Sequence, residues 1–249
     1  MNVSMYQAAA AMNATSRWQE HIAENLSASS TPGFKKTEVS FDSMIGGRML
    51  EADGVGRRSK FAMPTIQSAT NFQAGQLRHT GNPLDLAIEG NGFFEVQLPN
   101  GDTAFTRDGE FSLNAQGQLV SKSGHPVMTN IGELQLDPAN PAPISVSVDG
   151  QISQGDALVG QLRVVEVGDP KLLSPVGGGL FLARDPNLNP VDSVNPIVRQ
   201  GYLEGANTTP VQEMADLITA MRLFEANQRM IQMHDERMGR AINELGNPR

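Results

Sequence analysis

The chain has 249 residues, enough for one domain or two, and its net charge of −8 argues against a nucleic-acid binder that relies on phosphate contacts. It has no cysteine, which excludes disulfides, thiolate metal sites and cysteine nucleophiles. Aromatics make up only 5%, so no single large aromatic core is implied.

Residues 1–28 read as a helix within a first segment spanning 1–31. Met5, Ala8, Met12, Thr15, Gln19, Ile22 and Leu26 step by alternating threes and fours, although Thr15 and Gln19 interrupt the apolar stripe. The run Ala8-Ala9-Ala10-Ala11 lets another helix approach closely. No Lys or Arg precedes this short apolar patch, and Arg17 and Glu20 follow it, so it is not a standard secretory signal. No apolar run reaches the length that spans a bilayer, and no membrane insertion is expected.

Ser29-Ser30-Thr31-Pro32-Gly33 ends this helix, because the residue before Pro is pushed out of the α region. Residues 32–83 are expected to be extended segments and loops, with room for one hairpin. Within them Gly46-Gly47, Gly54 and Gly56 break the pattern, and Arg57, Arg58 and Lys60 form a small basic cluster.

Residues 84–199 read as an antiparallel β domain. Short alternations at Leu84–Glu89, Phe93–Leu98, Thr103–Arg107, Glu110–Leu113 and Gln118–Ser121 are separated by turn signals such as Asn100-Gly101 and Asp108-Gly109. Ile144–Val148, Gln151–Ser153 and Gly160–Val167 continue the theme, and Gly177-Gly178-Gly179 marks a flexible turn.

Residues 200–207 lead into a long helix over 208–249. Met214, Leu217, Met221, Phe224, Ile231, Met238, Ile242 and Leu245 fall on a heptad seam, with Gln228 and Asp235 as its exceptions. Thr209 can cap, Pro210 suits the first helical position, and Gln212 stands where a capping box wants Glu or Gln. A terminal helix with so narrow a stripe needs a partner. The expected fold is therefore α+β: coiled-coil-like N- and C-terminal helices form a stalk, with an antiparallel all-β domain inserted between them. Eight of the twelve methionines lie in the two end segments, a composition that suits packing against non-identical neighbours.

Four histidines, His21, His79, His125 and His234, show no metal-ligand spacing, and Gly90-Asn91-Gly92 is a turn rather than a dinucleotide loop. Neither an activity nor a cofactor, metal or small-molecule substrate is expected. Asp85 and Asp108 are the pair that a carbohydrate-active enzyme would use, provided they converge in a cleft.

Three stretches together resemble the flagellar basal-body rod and hook protein family. They are Ala23-Glu24-Asn25-Leu26-Ser27 through Thr31-Pro32-Gly33-Phe34-Lys35, then Gly81 to Phe94 with Thr106-Arg107-Asp108-Gly109, and Gln200-Gly201-Tyr202-Leu203-Glu204-Gly205-Ala206-Asn207. Glu24 stands where a second Asn is usual. The resemblance covers nearly the whole chain and implies a rod subunit of the proximal or distal type, in the basal body where the rod crosses the periplasm. It implies a helical homo-oligomer whose partners are other rod and hook axial proteins. It also implies delivery through the type III export apparatus without a cleaved signal.

On this reading the assembly seam is Met5, Met12, Ile22, Leu26, Met214, Leu217, Met221, Phe224, Ile231, Met238, Ile242 and Leu245. The junction motif is Asn25, Thr31, Gly33, Phe34, Gly201, Tyr202, Gly205 and Asn207, with Gly201 and Gly205 supplying special backbone angles. The rival reading is a secreted adhesin-like module whose β domain holds a ligand.

Overall fold

Helices stand at both ends of the sequence and antiparallel β structure lies between them. The computed structural model describes residues 3–50, 58–138, 140–183, 185 and 188–246; for 3, 46–50, 58–61 and 244–246 only the backbone is described. Leu245 and the cluster of Arg57, Arg58 and Lys60 therefore have side chains outside the described residues, as do Gly54 and Gly56 entirely. The chain divides into two compact units. The first gathers Met1–Ser27, Thr37–Ala69 and Pro210–Arg249, and the second Ala28–Lys36 and Thr70–Thr209.

In the first unit α1 (Val3–Ser27) packs along α2 (Pro210–Gly246). The last turn of α1 meets the first turn of α2, where Asn25 Nδ2 donates to Glu213 Oε2 at 3.3 Å, so the helices run in opposite directions. Helix α2 starts at Pro210, whose fixed φ and missing N–H suit a first helical position. Gln212 does not reach back to the cap: its amide donates forward to Asp216 Oδ1 at 3.2 Å. Ala8, Ala14, Thr15, Ile22 and Asn25 form the buried face of α1. Thr15 belongs to this face because its hydroxyl donates to Ala11 O at 2.7 Å, which meets its hydrogen-bonding need inside its own helix.

Residues 37–70 are extended, as expected, but lack the break expected at Gly46-Gly47. Strands β1 (Thr37–Leu50) and β2 (Arg58–Thr70) pair as a two-stranded sheet, and β1 runs straight through Gly46-Gly47. Glycine weakens a strand without forbidding it, and tertiary contacts outweigh that weakness here. The ring of Trp18 meets Phe41 edge-on at 5.4 Å, and Gln7 Nε2 donates to Ala62 O at 2.9 Å.

In the second unit a six-stranded sheet runs in the order Leu173–Gly177, Leu180–Ala183, Thr103–Thr106, Phe93–Gln97, Val164–Glu166, Val191–Asp192. Alternation places Phe94, Val96 and Val164 in one apolar cluster with Leu86, Ile88, Val127 and Ile152. Phe93, Phe105, Val165 and Phe181 turn to a second cluster joined by Phe72. The three-glycine turn joins the first two strands, and Pro175 is accommodated because its strand is at the sheet edge. Gly160–Val167 splits into two strands, Ala157–Gln161 and Val164–Glu166. Asp108-Gly109 makes no tight hairpin turn. Gly109 instead lies against the backbone of Leu86, where a Cβ would fall 1.6 Å from the Leu86 carbonyl oxygen, and its carbonyl accepts from Leu86 N at 3.0 Å.

Candidate functional site

The seam residues of α2 divide between two faces. Leu217, Phe224 and Ile231 are half-buried and share an inward stripe with buried Glu213 and Ala220, the face that packs with α1. Met214 and Met221 lie outside it and are exposed. Met238 and Ile242 continue the inward stripe by steps of seven and four residues and are also exposed. In α1, Ile22 is buried, Met12 and Leu26 are half-buried, and Met5 is exposed. Val211, Ile218, Leu223, Met230 and Met233 add further exposed apolar side chains on α2, with Val211 81% exposed. The stripes are thus only partly covered within one chain. Scattered exposed apolar residues need no explanation, whereas contiguous stripes along a helix mark an interaction surface.

Asn25 ties three elements of the first unit together. Its Oδ1 accepts from Thr37 N at 2.9 Å and its Nδ2 donates to Thr37 O at 3.0 Å, as a neighbouring strand would. The same Nδ2 reaches Glu213. A buried amide with its partners in place specifies a register as well as contributing energy.

The remaining junction residues converge in the second unit. Gly33 has φ +66° and donates to Glu204 O at 2.7 Å. A Cβ there would lie 2.2 Å from the Arg107 carbonyl carbon, so only glycine fits. Thr31 N donates to Ala28 O at 2.9 Å, and Phe34 O accepts from Asn207 N at 3.2 Å. Asn207 Oδ1 accepts from Lys36 N at 2.7 Å while its Nδ2 donates to Asn71 O at 2.7 Å. Gly201 has φ +77° and its carbonyl accepts from Thr80 N at 2.8 Å. Tyr202 meets the His79 ring edge-on at 4.9 Å. Gly205 has no positive φ; its backbone is approached closely by Gly75, where a Cβ would sit 1.9 Å from the Gly205 oxygen. A groove of about 660 Å³ opens here, lined by residues that include Ser29, Pro32, Gln76, Arg78 and Thr209.

Beneath this junction lies a charge cluster that the sequence did not announce. Glu204 Oε1 accepts from Lys35 Nζ at 2.5 Å and from Gly75 N at 2.7 Å, and its Oε2 accepts from Arg107 Nη1 at 3.3 Å. Arg107 also donates to the carbonyls of Ile88 and Gly90, and its guanidinium sits 5.2 Å from the Phe93 ring centre. All three side chains are at least 95% buried. Burial lowers the Lys35 pKa and the Arg107 pKa, and the Glu204 carboxylate opposes both shifts. Each member lies in a different one of the three signature stretches, which was the available signal. A lone Lys, Arg or Glu in a polar-looking loop gives no periodicity from which burial can be read.

Asp85 and Asp108 are buried acceptors at turns: Asp85 Oδ1 accepts from Asn82 Nδ2 at 2.9 Å and Asp108 Oδ1 from Glu110 N at 3.0 Å. Burial pushes the Asp108 pKa up to about 6. Among the described residues no group of three or more His, Asp or Glu could hold a metal ion. No helix among them is long and apolar enough to cross a membrane.

Comparison with known proteins gives two family matches and a set of relatives. The family described as "Flagellar hook protein FlgE/F/G D1 domain" matches residues 87–154, and "Flagellar basal body rod FlgEFG protein C-terminal" matches 199–244. A "Flagellar basal-body rod protein FlgF" of Mesorhizobium japonicum is 34% identical over 99% of each chain. One of the same name from Caulobacter vibrioides is 34% identical over 90% of each. A "Flagellar basal-body rod protein FlgG" of Agrobacterium fabrum is 32% identical over 92% of this chain and 94% of its own.

Proposed function

Because the chain belongs to the flagellar basal-body rod protein family and is a structural subunit of the basal body, we propose that it builds the rod through its terminal helices. The family implies assembly with other flagellar axial components. In the finer reading, 1–31 and 208–249 form the stalk, 84–199 the β domain, and 32–83 and 200–207 the connections. Copies polymerise helically with one another and with neighbouring rod and hook proteins, and the assembled axle transmits torque to the hook. The seam and junction residues position and cover these contacts and carry no chemistry. The family is not known for enzymes, and the comparisons lend the adhesin-like reading no support. Delivery by the type III apparatus belongs to the same proposal.

The observation that carries this reading is the exposed apolar surface of α2. Burial of such surface contributes about 25 cal/mol per Å², so covering about 100 Å² of it outweighs the exposed Glu225–Arg229 and Glu236–Arg240 pairs at 3.9 Å. Electron microscopy of basal bodies from a strain lacking this chain tests it. The expected result is an axle truncated at the level of the missing subunit. A full-length axle would contradict the proposal.

A further inference from the structure

The exposed side chains of α2 form two separate stripes with the same internal spacing. Val211, Met214, Ile218 and Met221 step by three, four and three. Leu223, Ala226, Met230 and Met233 step by three, four and three again. The second stripe is the first displaced by twelve residues, which on an α-helix is about 18 Å along the axis and about a third of a turn around it. The inward face that packs with α1 occupies the remaining third. As far as Ile231, helix α2 therefore has one face covered by its own chain, and it has two matched faces that are not.

Charge extends the match. Continuing the first stripe by four residues reaches Glu225, and continuing the second by four reaches Arg237; both side chains are exposed. Stripe against stripe, in parallel and staggered by twelve residues, sets Glu225 of one copy opposite Arg237 of the next. A self-complementary two-fold contact would use one stripe twice and leave the other in water. A contact between unlike stripes uses both and can be repeated by each copy added, which gives an open helical polymer when the rotation does not close on itself.

Resting on the assembly reading above, we propose that a second copy of this chain is the occupant. The Val211–Met221 stripe of one α2 docks on the Leu223–Met233 stripe of the next, with a stagger of about 18 Å. The absence of cysteine from the 249 residues gives a clean test. Cells expressing Met221→Cys with Met233→Cys should yield purified basal bodies that, on oxidation, contain disulfide-linked species larger than dimers. Met221→Cys alone should give none, and Met214→Cys with Met233→Cys, about 10 Å out of stagger, should give little. A dimer from Met221→Cys alone, or equal cross-linking by the out-of-stagger pair, would overturn the proposal.

Charge reversal supplies the second arm. Glu225→Arg and Arg237→Glu should each lower recovery in basal bodies several-fold, and the double reversal should restore it. Single reversals without effect, or a double that stays low, would count against the pairing. Incorporation of the cysteine pair at normal levels without cross-links would sink the stagger and leave the assembly reading standing. If the unsubstituted chain were itself missing from basal bodies, both would fall.

Discussion

Glu204 is the residue on which the junction of the second unit depends. Its carboxylate answers two buried cations and one backbone N–H. Removing one partner from a buried charge group leaves the others uncompensated, at about 3–5 kcal/mol. Glu204→Gln should therefore lower the urea midpoint of the second unit by that equivalent while α1 and α2 keep their helicity. An unchanged midpoint would mean the cluster is not closed in solution.

Asp108 gives a pH signature. Its folded pKa of about 6 lies above the ordinary 3.8, so the folded chain holds the extra proton between those values. Stability from this group is present below about pH 4 and is lost as pH rises through about 6. Asp108→Asn keeps the acceptor for Glu110 N and removes the titration. The variant should gain on the native chain by about 2–3 kcal/mol between pH 4 and pH 7, measured as the difference between their unfolding free energies at the two values. A constant difference would contradict the raised pKa.

At the scale of elements, the helices were legible because both period and punctuation were present. The step pattern located α1 and α2, and Pro32-Gly33 and Thr209-Pro210 located their ends. What the period could not reveal was how many partners the stripe had. Leu217 and Met221 look alike in sequence, yet one packs toward α1 and the other is exposed. The strands of the second unit were readable from alternation. The pair β1 and β2 was readable only as extended chain with room for one hairpin, since Gly46-Gly47 signalled a break that contacts such as Trp18 with Phe41 override. The Lys35–Glu204–Arg107 cluster was hidden because its members are joined only by folding.

The two faces of α2 call for different outcomes. Phe224→Asp places a charge on the face toward α1 and should reduce far-ultraviolet helicity and assembly together, leaving the second unit's melting temperature unchanged. Native helicity with normal incorporation would count heavily against the inward stripe.

At the scale of the molecule, the two compact units differ in what holds them. The second carries both apolar clusters and the buried charge cluster. The first leaves much of the apolar surface of α2 in water. Burial deferred to an assembled state implies low local stability before assembly. In dilute monomer the amides of α1 and α2 should exchange markedly faster than those of the sheet formed by Phe93–Gln97 and Thr103–Thr106. Equal, strong protection of helices and sheet would show that the helices need no neighbours.

The most direct test is recovery of the Met221→Asp chain in purified basal bodies, with its folding and export first verified. Met221 is exposed, so a carboxylate there should leave the free chain intact. The account predicts a folded, exported protein that is absent from basal bodies, with the axle shortened in electron micrographs. Recovery of Met221→Asp at the native level, in axles of native length, would contradict it.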